Sequence, residues 1–566
     1  MRQRRLPHRH MPYGFVSLVA MAVSLGLSSP AAAVRLSTSP DWQARWDNTL
    51  QYNLGMRIQD MDSKIGNSPT GNQGDYKFSD SGDIVTNRIS VLSELDLVYQ
   101  RRYGIRLSGS GWKDFAYDDV AETNPGELAP GTPYPNNYDE AKYSHYTKKY
   151  YIAGAELLDA FAFANFSVNG MPVSVKAGRF TQYWGNSVFF ASHGIAYSQS
   201  ATDKIKGAAS PGTSVKELSL PHAQTSLGLQ LTPELSINFQ YSLEFQGGDR
   251  LPEGGTYLGP VDFIAKGPDR FALAGLPRGP EDEPDGAGDN YGVNLRWTPP
   301  SGTSTIGVYA RSFTESSGWL LTNTTAADAP YYSFAYPRDT EMLGASLDTN
   351  VGSASVGLEV SYRHNSGLNS VGLAASEEGA RGDLLNLDAN LLIGLTPNSI
   401  WDTGVVIAEL AYQRKLSVDE NKNLYNEIGS ANCGTDSHYT GCATDDQVAA
   451  AIQFAPQWLS VMPSVDMDIP LFAIYGVYGN APGLGSPVAQ GDLQYSLGVH
   501  FLYRQRYNLT LSYNGYYGRH KGVTNAGAAS DVPNGTPGFP SYYAAGNSLY
   551  GLGDRGWLSL VLSTTF

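Results

Sequence analysis

Two side chains in this 566-residue chain are placed for nucleophilic chemistry, His500 and Ser512. A serine becomes a nucleophile only with a base such as histidine in hydrogen-bond reach. Both residues fall on adjacent predicted strands with the same parity. That parity aims them at the inside of a barrel, whereas a lipid hydrolase should face its substrate, so they read as polar lining. No phosphate loop, HExxH pair or serine elbow occurs elsewhere. Cys433 and Cys442, with eight residues between them, are the only cysteines. In an exported chain they should form a disulfide. Zinc would need about four ligands, and only His438 is near. The chain is therefore expected to be no enzyme and to carry neither metal nor cofactor.

The most informative segment for binding is 181–222. It opens with Tyr183-Trp184-Gly185, continues with Val188, Phe189, Phe190 and Ile195, and turns basic at Lys204, Lys206 and Lys216. Such an apolar stretch is costly in water, so part of it is expected to fold inward as a constriction; a structural lid is the alternative. Charged residues at inward parity, Arg45, Asp47, Arg57, Arg88, Glu94, Asp96, Lys176 and His500, are candidates for lining the lumen. Arg179 shares parity with Val173, Val175 and Ala177, which aims it at lipid. There an arginine near the midplane costs about 2–4 kcal/mol, unless a bulge turns it or it sits at the level of the lipopolysaccharide.

These residues need strands to position them, and alternation supplies the strands. From Trp42 the even positions read Trp, Ala, Trp, Asn, Leu, Tyr, Leu, Met, Ile through Ile58, while the odd positions are polar or charged. That run is too long for an ordinary globular strand of about 5–6 residues and suits a tilted strand with lipid on one face and water on the other. The pattern recurs at 85–99, 492–503 and 508–513. Tight connections at 101–104, 169–172, 232–234, 299–302, 351–353, 457–459 and 505–506 alternate with long polar ones at 59–83, 118–152, 181–222, 247–289, 315–340, 365–383, 416–445, 473–489 and 519–555. The expectation is an all-β, transmembrane antiparallel β-barrel of about 18 strands, with 16 as the alternative. Short periplasmic turns and long extracellular loops would put both termini in the periplasm. Tyr99, Tyr103, Trp297, Trp401, Trp458, Tyr503 and Tyr507 flank the short turns as an aromatic girdle.

The first 33 residues have a basic start (Arg2, Arg4, Arg5, Arg9), an apolar core from Phe15 to Leu27 and an Ala31-Ala32-Ala33 ending, the layout of a cleavable secretory signal. Residues 34–566 then form a single barrel domain. The mature chain has 35 basic residues against 54 acidic ones, a net −19, which excludes nucleic acid as a partner. The last strand, Leu558 to Phe566, has apolar residues at even steps back from a terminal Phe566. It reads as a signal to the barrel assembly machinery. The first strand begins too close to the cleavage site to leave room for an N-terminal plug.

Several segments together resemble a family of outer-membrane proteins catalogued as domain of unknown function 1302. They are Glu156-Leu157-Leu158-Asp159-Ala160-Phe161, Lys176-Ala177-Gly178-Arg179-Phe180 with Tyr183-Trp184-Gly185, and Leu218-Ser219-Leu220-Pro221. Tyr291-Gly292-Val293, Ser361-Tyr362-Arg363, Phe454-Ala455-Pro456, Pro463-Ser464-Val465-Asp466 and Asp554-Arg555-Gly556 follow in the family's order. Phe180, Thr181 and Gly556 depart from the family's pattern. The resemblance implies a barrel associated with moving hydrophobic compounds, sometimes beside an inner-membrane exporter of the resistance-nodulation-division type.

The function expected is a passive channel of the bacterial outer membrane for hydrophobic or amphipathic compounds, in uptake or in the last step of export. A general polar porin and a non-conducting structural or adhesive barrel are the alternatives. Outer-membrane lipid and lipopolysaccharide are the expected surroundings.

Overall fold

The computed structural model describes residues 34–35, 39–129, 131–211, 213, 215–300, 302–323, 330–370, 378–430, 433, 442–519 and 549–566. The expected signal segment and His438 lie outside them.

Among the described residues, eighteen antiparallel strands close into one barrel. They are Trp42–Arg57 (β1), Ile84–Tyr99 (β2), Tyr103–Asp114 (β3), Ala153–Val168 (β4), Met171–Phe180 (β5), His222–Gln230 (β6), Leu235–Ser242 (β7), Tyr291–Trp297 (β8) and Ser304–Phe313 (β9). Thr340–Val351 (β10), Ala354–Gly367 (β11), Arg381–Gly394 (β12), Thr403–Lys415 (β13) and Asp446–Met462 (β14) follow. Next come β15 in two pieces, Val465–Asp468 and Leu471–Tyr478, then Leu493–Tyr503 (β16), Tyr507–Tyr517 (β17) and Trp557–Thr565 (β18).

At one end the connections are short: 100–102, 169–170, 231–234, 298–303, 352–353, 395–402, 463–464 and 504–506. At the other they are long: 58–83 (L1), 115–152 (L2), 181–221 (L3), 243–290 (L4), 314–339 (L5), 368–380 (L6), 416–445 (L7), 479–492 (L8) and 518–556 (L9). Three details differ from the sequence reading. The long connection expected at 473–489 starts only at 479, because Leu471–Tyr478 is strand. The tight connection expected at 457–459 is strand, and the chain reverses at Pro463-Ser464, where Ser464 takes a φ of 62°. The turn at 395–402 was not separated from the apolar run around it.

Alternation places Leu358, Val360 and Tyr362 outside and Gly357, Glu359, Ser361 and Arg363 inside, and the other strands follow the same rule. The exposed outer face carries Trp46, Leu343, Leu410, Leu497 and Leu511. A closed barrel satisfies every strand edge within itself, which hydrocarbon demands, and its apolar outer face is the side lipid tolerates. Near the short turns Trp401 lies edge-on to Phe454 at 5.8 Å, and Tyr503 stacks on Tyr507 at 6.1 Å.

Closure joins the two ends of the chain. β1 and β18 pair from Thr49 with Thr565 to Arg57 with Trp557. Beyond that register Phe566 N–H donates to Asn48 O at 2.9 Å, and Asn48 N–H donates to Phe566 O at 2.8 Å. Deleting Phe566 removes this last pair. The expected result is intact secretion with a reduced yield of folded barrel, read as the heat-modifiable band on a gel; an undiminished yield would show the ending to be dispensable.

Candidate functional site

The inside of the barrel is built around L3, which runs along the inner wall from β8 to β15. Trp184 lies over Gly292 of β8, where a Cβ would come within 2.8 Å of the indole. Its backbone N–H donates to Gln199 Oε1 at 2.6 Å. An amide ladder continues from Gln199 to Gln240 and on to Gln224 across β7 and β6. Ile195 and Tyr197 pack on Tyr309 and Phe313 of β9 and Met342 of β10.

Two wall carboxylates hold the loop. Glu359 of β11 accepts from the backbone N–H groups of Asn186, Ser187 (3.1 Å) and Ile195 (2.7 Å). Glu409 of β13 accepts from those of Val188 (3.0 Å), Phe189 and Phe190 (3.2 Å). Gly185 allows the approach: its φ is +90°, and a Cβ there would lie 2.4 Å from Glu359 Oε1. Two arginines take the loop's carbonyls. Arg363 donates to Ser192 O (2.7 Å) and Gly194 O (3.2 Å), and Arg311 donates to Ile195 O and Tyr197 O, both at 2.8 Å. Loop backbone that would be left dry is thereby satisfied by charged partners, which form the stronger class of hydrogen bond.

The expected constriction residues are thus spread along the wall. Phe190 is fully buried on Ala411, Ala449, Ala451 and Ile474. Phe189 lies 5.4 Å from Phe472 of β15, both half-buried. Tyr183 is exposed, with its hydroxyl on Ser187. Lys204 and Lys206 serve anchorage. Lys206 is buried, paired with Glu156 and 4.8 Å above the Trp112 ring. Lys204 pairs with Asp249 of L4 at 3.0 Å.

The expected lumen charges divide into two groups. Arg45, Glu94 and Asp96 line a cavity of about 340 Å³ with Asp47, Arg106 and Glu217. There Arg106 is gripped by Glu94, by Asp96 at 3.1 Å and by Asp159 at 3.1 Å. His500 also faces inward, between Asp468 (2.6 Å) and Asn508 (3.1 Å), and Ser512 stands opposite Gly498 instead. Lys176 lies 4.5 Å from the Phe161 ring centre and 4.4 Å from that of Phe180. Arg57 and Arg88 point inward too, but loops cover them. Arg88 is buried 5.1 Å over Trp112. Arg57 is fully buried against Asp75 (3.1 Å) and Asp554 (3.0 Å), beside Arg555 on the same Asp75. Parity gave their direction, while the loops decide whether water reaches them. Arg179 sits on the outer face at the loop end, on Glu244 at 2.9 Å. In L7, Cys433 and Cys442 are joined by a disulfide, with Cα atoms 6.3 Å apart.

L1, L2 and L4 form a roof over one side of the loop end. Its core is Phe78, Tyr117, Tyr138, Tyr151 and Tyr257, with Trp557 of β18 beneath. Besides Asp75, two further acids are buried in the roof. Glu253 receives Gly267 N–H on one oxygen at 2.5 Å and has no partner on the other; burial pushes its carboxyl up to about 8. Asp262 accepts from Asn72 and Gln73, and burial pushes it up to about 7. Both keep a proton that an exposed carboxyl loses near pH 4. The stability this adds to the closed roof is complete below that point and is lost as pH rises through 7 to 8. Amide-exchange protection over 253–267, corrected for intrinsic rates, should fall between pH 6 and pH 9, and Glu253→Gln should flatten the change. Equal protection at both pH values would refute this.

A family model described as "Protein of unknown function (DUF1302)" matches residues 14–566. The chain belongs to that family. Curated proteins offer no match. Solved structures similar to this DUF1302 barrel include Acinetobacter baumannii OccAB1, at 11% identity and a TM-score of 0.40, covering 94% of this chain and 98% of that one. A BenF-like porin from Pseudomonas fluorescens Pf-5 is similar at 8% identity and 0.39, covering 92% and 98%. Pseudomonas aeruginosa OpdK with vanillate is similar at 11% and 0.37, with the same coverage.

Glu359 and Glu409, which anchor L3, escaped the sequence reading. A signal was present: each is an acid at inward parity inside an apolar alternation, Leu358-Glu359-Val360 and Ala408-Glu409-Leu410.

Proposed function

We propose that this barrel is a passive outer-membrane channel for small hydrophobic or amphipathic compounds, gated by L3. The observation that carries the reading is the apolar stretch of inner wall where Phe189 meets Phe472 beside Ala411, Ala449, Ala451 and Ile474. A barrel lumen filled only with water favours polar side chains, so an apolar patch there fits an apolar solute. On this reading the short turns and both termini face the periplasm, lipopolysaccharide surrounds the loop end, and the assembly machinery reads Phe566. An inner-membrane exporter is a fitting partner if the direction is outward. Residues 1–33 are removed as a signal.

Single-channel recording in planar bilayers tests it. The intact protein should conduct weakly, and deletion of 186–210 should raise conductance. A sealed barrel would defeat transport and favour a scaffold, and an unchanged deletion variant would sink the gating role. The charged cavity at Arg45, Asp47, Glu94, Asp96 and Arg106 favours a second reading, a general polar porin. Rapid swelling of proteoliposomes in sugars would support that one instead.

A further inference from the structure

One irregular line of the wall lies beside the apolar patch. Pro456 of β14 stands opposite Gly404 of β13 on one side and, on the other, meets Ile469 in the break between the two pieces of β15. Next along β15 is Pro470, opposite Gly498 of β16. Two glycines and two prolines thus cross four neighbouring strands at one height. Gly404 has a φ of +148°, and a Cβ there would lie 2.4 Å from Ala455 O and 2.8 Å from Pro456 Cα.

The ladder consequence follows from proline chemistry. A hydrogen-bonded antiparallel pair exchanges two bonds, and proline has no N–H to give. Ile469 N–H donates to Pro456 O at 3.1 Å, and Gly498 N–H donates to Pro470 O at 2.9 Å. In each pair the return bond cannot form: the first is missing between β14 and β15, the second between β15 and β16, and β15 is interrupted between Asp468 and Leu471. Prolines in sheets keep to edges and bulges, so two of them in adjacent central strands mark a place where pairing is kept weak. The inner face of this line is narrow-sided, with Ala451 and Ala455 on β14 and Gly498 on β16, and Phe472 stands directly above it. Outside, Leu471 is exposed and directly opposite Phe454 of the belt that Trp401 flanks.

We propose that the line between β14 and β15 at Pro456 and the break in β15 is a lateral seam, through which apolar solutes held at Phe189 and Phe472 pass from the lumen into the hydrocarbon of the turn-side leaflet. This rests on the hydrophobic-channel reading and gives it an exit. An apolar solute leaving sideways is never transferred into water, and parting two strands where one bond is already missing opens the wall at its weakest pair.

The test separates the seam from the channel. Gln457 and Asp468 are directly opposite across the two strands, so Gln457→Cys/Asp468→Cys would lock the seam on oxidation, verified by peptide mass. Entry of the apolar fluorophore N-phenylnaphthylamine into the outer membrane of intact cells is measured alongside single-channel conductance of the same purified variants. Locking should slow entry about ten-fold, reversibly with reductant, and leave conductance unchanged. Pro456→Ala should also slow entry, by about five-fold for the one net hydrogen bond restored across the seam. Entry untouched by both variants would overturn the seam. So would a lock that lowers entry and conductance together, since the probe would then share the aqueous path and the channel reading alone would survive. A barrel that fails to conduct loses the channel reading, and the seam is then decided by entry alone.

Discussion

Glu409→Ala should convert a quiet, weakly conducting barrel into a noisy one with conductance raised about two-fold or more. The carboxylate gathers three successive backbone N–H groups of L3, from Val188 to Phe190. Hydrogen bonds to a charged acceptor contribute about 1.5–3 kcal/mol each, so the seat of Phe189 and Phe190 loses several kcal/mol at once. Glu359 still holds Asn186, Ser187 and Ile195, so the loop should hinge about that point and swing its phenylalanine end into the lumen. Glu409→Gln retains an acceptor oxygen and should fall between. The barrel should keep its heat-modifiable mobility, because the β12–β14 ladders do not involve this side chain. Conductance and noise equal to the unaltered protein would show that packing of Phe190 alone seats the loop.

The second large effect belongs to the roof. Asp75 is wholly buried and pairs with two guanidinium groups, Arg57 and Arg555. Arg555 also donates to the carbonyls of Gly71, Tyr257 and Gly259, tying L1, L4 and L9 together. Asp75→Ala leaves two buried cations sharing Asp554, and removing one partner of a buried pair costs about 3–5 kcal/mol. The cost should fall on the loops and spare the barrel. Rapid amide exchange and protease cleavage in 63–78 and 250–262 are expected, with strand protection intact. Asp75→Asn should be intermediate. Loops as resistant as before would show the cluster to be dispensable for the roof.

Much of this architecture was legible because a lipid-facing strand repeats every two residues. Trp42 to Ile58 displays both faces, and length contrast between connections gives the two ends. The turns failed where composition misled. Pro456 and Trp458 look like a reversal, but Pro456 sits within β14 and the chain reverses at Pro463-Ser464. The turn at 395–402 was missed although Thr396-Pro397-Asn398-Ser399 is a turn signal, because long apolar runs flank it on both sides. For the site, the apolar content of 184–195 drew attention to L3, while its seat did not show. Glu359 and Glu409 lie 173 and 220 residues beyond the N–H groups they receive, and no local pattern links them. Parity separated inside from outside, but Arg57 and Arg88 show that inside includes both wet wall and ground beneath loops.

That long separation has a kinetic side. L3 is synthesised well before β11 and β13, so its Trp184, Phe189 and Phe190 have no wall to rest on until the second half of the chain is in place. Contacts between distant segments form late and slowly, and closure of β1 on β18 spans the chain from Thr49 to Thr565. L3 is thus an exposed sticky segment for most of the barrel's maturation. Whatever shepherds the unfolded chain must cover residues 184–195 until the wall that will hold them has been laid down.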